Sequence, residues 1–288
     1  MFLISSLIAI ALQVGPNPQA GALPGVPDEL LNRPPRPSEE QVSTSPESEW
    51  LAQCLALVAE DPARAHTLAQ VQRNERSGTE RILANHCLGL AATELGLWED
   101  AITAFAAARD ETPTDELSAR ARFGTMAGNA ALGSGDPSRA RAILEAAKQD
   151  AQASASAPLQ AVAAIDMART LVALGEEEIA LGELEMATSL VPDGAEGWLL
   201  KATLLRRLER LEEAQAAIEQ AGTAAPFDQL IGLEAGVIAV LSGRDEAARS
   251  SWQSVVDLNP DSPAGLTARD YLAQLGPPPV AAASQEPS

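Results

Sequence analysis

Lysine is nearly missing from this sequence, and so is most of the apparatus of chemistry. Among 20 basic residues only Lys148 and Lys201 are lysines, against 40 acidic residues, so 288 residues carry a net charge of −20. Binding a polyanion needs clustered Lys and Arg to displace counterions, so a nucleic-acid partner is excluded and an anionic membrane surface is disfavoured. With so few lysines, no Gly-rich loop ends in a Lys-Ser/Thr pair, which removes phosphate-cradling nucleotide sites. Two histidines, His66 and His86, have no ligand-spaced partners, and His-x3-His and Cys-x2-Cys are absent. The reading is therefore no metal, no cofactor and no catalytic residues. No Gly-x-Ser-x-Gly elbow appears either. Aromatics make up only 3% of the chain, leaving Ala and Leu to supply the apolar content. Small apolar residues suit closely packed helices.

No apolar run is long enough to span a bilayer, which needs about 20 residues. The longest terminal one, Phe2 to Leu12, is followed by Gly15, Pro16 and Pro18 and then by Ala20-Gly21-Ala22. That length and small-residue exit predict a secretory signal over 1–22, although no Lys or Arg precedes the run. A buried first helix, a misassigned start or an uncleaved membrane tether are the alternatives. Cleavage would place the protein in the periplasm or outside the cell. Residues 23–46, with Pro24, Pro27, Pro34, Pro35 and Pro37, read as a disordered tether, and 277–288 as a disordered tail.

Between them, 47–276 shows no period-2 strand pattern but a longer repeat. Gly, then Ala five residues on, then a bulky apolar residue four later occurs as Gly96-Ala101-Phe105, Gly135-Ala140-Leu144, Gly175-Ala180-Leu184 and Gly243-Ala248-Trp252. A fifth copy, Ala214-Ile218, has Glu209 in the glycine's place. The anchor alanines are separated by 39, 40, 34 and 34 residues. Small residues (Gly89, Gly128, Ala168, Ala202, Gly236) and prolines (Pro113, Pro192, Pro226, Pro260) fall into register with them.

This pattern resembles the tetratricopeptide-repeat (TPR) family, best in Leu88-Gly89, Ala101, Phe105 and Pro113, with Trp198 supplying the tryptophan of the fourth copy. The resemblance implies an all-α, right-handed superhelical solenoid of antiparallel helix pairs. It would hold five to six repeats, a degenerate first pair over Trp50 to Val71, and a capping helix from Ser262 to Leu275. The two long steps predict a lengthened loop or helix near Thr112 to Arg120 and Gln149 to Gln160.

The family also implies a protein- or peptide-binding concave face on the first helix of each pair. Its candidate positions include His86 and Leu90, Arg122, Thr125 and Asn129, Ile165 and Arg169, Thr203 and Arg206, and Leu233 and Val237. Arg122, Asn129 and Arg169 could grip a carboxylate-bearing peptide, or simply solvate the face and pair with nearby glutamates. Leu90 stands where a carboxylate-clamp TPR has an asparagine, so that clamp is not reproduced. His86 reads as a lone exposed histidine. Cys54 and Cys87, 33 residues apart, would sit at similar height on neighbouring helices. In an oxidising envelope they are predicted to form a disulfide stapling the degenerate first pair to the first good repeat, the alternative being two buried thiols. The functional expectation is a non-catalytic binding scaffold of the bacterial envelope. The competing class is a hydrolase-like helical-repeat enzyme with an unrecognised carboxylate site.

Overall fold

A computed structural model describes residues 46–276; the expected signal, tether and tail lie outside the described residues, apart from the tether's last residue, Pro46. Thirteen helices and no strands occupy the described residues. They run α1 (Pro46–Glu60), α2 (Pro62–Glu75), α3 (Thr79–Glu94), α4 (Trp98–Glu111), α5 (Leu117–Gly133), α6 (Pro137–Ala153) and α7 (Ala157–Ala173). They continue as α8 (Glu177–Leu190), α9 (Ala195–Arg207), α10 (Leu211–Ala224), α11 (Gln229–Leu241), α12 (Asp245–Leu258) and α13 (Pro263–Leu275). Each odd helix packs on the even helix that follows it, giving six pairs and a single last helix.

The sequence explains how each helix starts. Asp61, Asp136 and Ser262 accept a hydrogen bond from a first-turn amide, and each is followed by proline at the first helical position. The second helices of the other pairs open on two acids instead: Glu99-Asp100, Glu177-Glu178, Glu212-Glu213 and Asp245-Glu246. Carboxylates there meet the positive end of the helix dipole, which accounts for part of the acidic excess.

The turn inside each pair after the first is built once and reused. Gly96, Gly135, Gly175 and Gly243 have φ between +68° and +82°. The amide of the next residue then reaches back five positions, as Leu97 to Ala92 and Asp136 to Ala131 (2.8 and 3.1 Å). This is the Schellman closure, and the left-handed residue in it favours glycine. In the fifth pair Glu209 adopts the same conformation (φ +60°), and Arg210 makes the same bond to Leu205 at 2.9 Å. The fold thus imposes a left-handed turn on a residue with a Cβ.

Packing follows the repeat. The anchors Ala101, Ala140, Ala180, Ala214 and Ala248 are all completely buried, as are Ala65 and Ala69 in the first pair. Phe105, Leu144, Leu184, Ile218 and Trp252 fill the layer one turn further on. Pro113, Pro192, Pro226 and Pro260 each stand two residues beyond the end of a second helix. The extra residues of the long steps are absorbed mainly as helix: α5, α6 and α7 are each 17 residues long, against 13 to 16 elsewhere.

Candidate functional site

Consecutive odd helices touch across repeats (α1–α3, α5–α7, α9–α11, α11–α13), whereas consecutive even helices do not pack on one another to a comparable extent. Odd helices therefore line the inner side of the array. His86 is on α3, Arg122 and Asn129 on α5, Arg169 on α7 and Arg206 on α9, so all five predicted contact residues lie on odd helices.

Most of them are already engaged. The Asn129 side-chain amide donates to Asp166 at 3.0 Å, and Arg169 holds the same carboxylate at 2.7 Å while its other nitrogen bonds Glu196. Arg206 pairs with Glu234 at 2.6 Å. Arg122 is exposed and has no hydrogen bond or ion pair among the described residues. Thr125 and Ile165 correct the sequence reading: both are buried, and Thr125 spends its hydroxyl on the Ala121 carbonyl. They sit at the border of the inner face, which the α5–α7 contact closes over. His86 is half-buried rather than exposed, its ring edge-on to Phe123 with centroids 5.3 Å apart.

Asp166 is the polar residue that the sequence did not announce. It is 2% exposed, and burial pushes its carboxyl above the usual range, opposed by the bonds from Asn129 and Arg169. The groups around it are ion-pair and amide partners, which makes it a hub tying α5, α7 and, through Arg169 and Glu196, α9 together. Asn85, on α3, is buried with neither side-chain atom hydrogen-bonded; it lies three residues from both Ile82 and Leu88 in an apolar layer. We have no physical account of that choice of residue.

Elsewhere the basic side chains are spent between repeats. Arg109–Asp150 (2.7 Å), Arg139–Glu99 (2.8 Å), Arg141–Glu176 (2.8 Å) and Lys148–Glu183 each bridge one pair to the next, and His66 meets Asp100 at 3.2 Å. Cations consumed this way leave the unpaired acids to set the surface charge. What the inner face offers instead is apolar. A groove of about 180 Å³ opens between α7 and α9, lined by Ala168, Val172, Leu184, Leu200, Thr203 and Leu204, with Arg169 and Arg207 at its rim. Arg207 is itself paired with Glu177.

Cys54 and Cys87 join α1 to α3 in a disulfide with Cα atoms 6.2 Å apart. Among the described residues no group of three His, Cys, Asp or Glu side chains could hold a metal, and no helix is long and apolar enough to cross a membrane.

Burial lowers the His86 pKa. A histidine depressed in the folded state contributes stability that is present above its unfolded pKa, about 6.5, and lost as pH falls through the folded one. Melting curves at pH 7.5 and 5.5 should therefore show a smaller acid-induced drop in Tm for His86→Phe than for the parent. The other histidine, His66, is common to both proteins. An identical drop would assign the pH dependence to other groups.

This arrangement defines a helical-repeat solenoid of stacked helix pairs. A model of the tetratricopeptide repeat matches residues 165–229 and again 199–263, so this stretch of the chain is similar to tetratricopeptide repeats. Among solved structures it is similar to PilW, titled a widely conserved type IV pilus biogenesis factor (15% identity, 77% of this chain and 96% of that one, TM-score 0.61). It is similar also to PilF of Pseudomonas aeruginosa (14%, 78% and 97%, TM-score 0.58) and to MamA residues 41 to the end from Desulfovibrio magneticus RS-1 (18%, 65% and 100%, TM-score 0.51). These likenesses establish the fold. Among curated proteins, none matches the sequence significantly.

Proposed function

We propose that this protein is a non-catalytic scaffold of the bacterial envelope that holds a protein or peptide partner against the inner face of its repeats. The observation that carries this reading is the inner face itself: odd helices presenting apolar side chains and a groove, beside polar residues tied down by one another. Asn129, Arg169 and Arg206 are bonded to neighbouring side chains, so what the face offers a partner is chiefly its apolar surface. The envelope location is supported by the apolar leader and by the disulfide, which persists in oxidising compartments. Likeness to a pilus biogenesis factor is compatible with it.

The test is capture from an envelope extract by the parent and by two variants. Arg122→Glu with Leu199→Glu alters the inner face at residues whose side chains are free of hydrogen bonds; Ile179→Glu alters an even helix at a 55% exposed site. The inner-face variant should lose a protein that the parent and Ile179→Glu both retain. An unchanged set of captured proteins, or loss only with Ile179→Glu, would refute the inner face as the working surface.

A further inference from the structure

The junction leading into the sixth pair, and that pair's first helix, differ from their neighbours in a way that the repeat pattern exposes. After the proline that ends a second helix, the next residue is Asp193 in one junction and Asp261 in another, as water-facing positions require. In the junction between α10 and α11 it is Phe227, 78% exposed and the most exposed large apolar side chain among the described residues. An aromatic residue in water, in a chain with so few, costs solubility unless something covers it.

Phe227 does not stand alone. Three residues on, at the start of α11, Leu230 is 59% exposed, and at the far end Leu241 is 53% exposed. Between them Leu233 and Val237 are only half-buried. The spacing 230, 233, 237, 241 keeps these residues on one side of α11, a stripe of about three turns. α11 contains a single charged residue, Glu234, and Arg206 neutralises it at 2.6 Å. Apolar residues at three- and four-residue steps form the seam by which one helix receives another. The surroundings set the sign of the visitor's remaining surface. The chain carries −20; beside the stripe Arg206 is neutralised by Glu234, and beyond its far end Arg244 is bonded only to the neutral Gln215. One uncompensated arginine at one end does not offset the acidic surface, so a basic segment would find more attraction than an acidic one.

We infer that the stripe from Phe227 to Leu241 is the docking seat for an amphipathic helix of a partner protein, apolar on the seated side and basic on the other. This rests on the inner face being the working surface and goes further by naming the seat and the chemistry of its occupant. Phe227 is the anchor, at the edge where the odd helix begins, as buried aromatics commonly are in interfaces.

The probes are two synthetic helical peptides of about four turns with the same leucine seam at three- and four-residue steps, one with lysines and one with glutamates on the remaining face. Fluorescence anisotropy would compare full-length parent, Phe227→Asp with Leu230→Asp, the inner-face variant Arg122→Glu with Leu199→Glu, and Ile179→Asp. The lysine peptide should bind the parent at least about tenfold more tightly than the glutamate peptide, and the Phe227/Leu230 variant should lose at least about tenfold, with an unchanged Tm. Because both side chains are exposed, folding should survive, and circular dichroism would establish it. Equal binding of the lysine peptide to the parent and the Phe227/Leu230 variant overturns the proposal. So does equal binding of the two peptides. A parent dimer in sedimentation that the double substitution dissolves would make the occupant a second copy and overturn it too. Loss with Arg122→Glu/Leu199→Glu but not with Phe227/Leu230 defeats this seat and leaves the inner-face reading; loss with Ile179→Asp alone defeats both.

Discussion

Truncating Phe105 to alanine should destabilise the first well-formed repeat by about 3–5 kcal/mol, the range for removing a buried aromatic ring from a core. The ring is 2% exposed and lies over Gly89: a Cβ placed on that glycine would come within 2.5 Å of the ring carbon Cε1. The two residues are therefore one packing decision made twice. Gly89→Ala alone should cost about 1–3 kcal/mol, because the added methyl must displace a packed ring. In the Phe105→Ala background, the same methyl enters the space that the ring has left. A double-mutant cycle by chemical denaturation should then show the pair costing less than the sum of the singles by at least about 1 kcal/mol. Additive costs would mean that α3 and α4 approach each other for some other reason.

The second large effect lies one repeat earlier. Replacing Cys54 and Cys87 by serine, or reducing the protein, should remove about 3–4 kcal/mol, the chain-entropy value for a 33-residue span between bonded cysteines. The loss should be local. Among the side chains described in α1, only Cys54 is buried, while Trp50, Leu51, Leu55, Leu57 and Val58 are half-covered. Without the bond, α1 keeps a thin apolar contact with α2 and α3 and should fray before the remaining pairs. Hydrogen exchange should show α1 losing protection on reduction while α5 to α12 are unchanged. Uniform loss along the chain, or none, would contradict a staple confined to the first pair.

How much of this was legible in the sequence depends on the range of the interaction. The turn glycines and anchor alanines could be read directly because each answers a constraint met within a few residues: a left-handed φ, or a helix crossing with no room for a longer side chain. Even Glu209 kept its place, since the alanine five residues later, Ala214, fixed the register. The same register placed the five candidate contact residues on odd helices. Their bonding was not legible. Asn129 and Asp166 are 37 residues apart, and whether they meet depends on the relative height of neighbouring helices, which 17-residue helices in α5 to α7 had altered. The disulfide was legible because a spacing near one repeat places the cysteines side by side on neighbouring helices, although that spacing does not itself fix their separation. Phe227 carried a signal that was available, the aspartates at its equivalent positions, but one junction out of register with expectation is visible only after the repeats are aligned in space.

The central claim is that partners meet the odd helices and not the even ones. Its most direct test is site-specific photo-crosslinking in the producing cell, with a photoreactive residue at Val162, Leu199 or Leu230 on the inner face, or at Ile179 or Glu219 on the even helices. Adducts with one discrete protein should form from the inner positions and not from the outer ones. The same adduct from both faces, or from the outer face alone, would contradict the account.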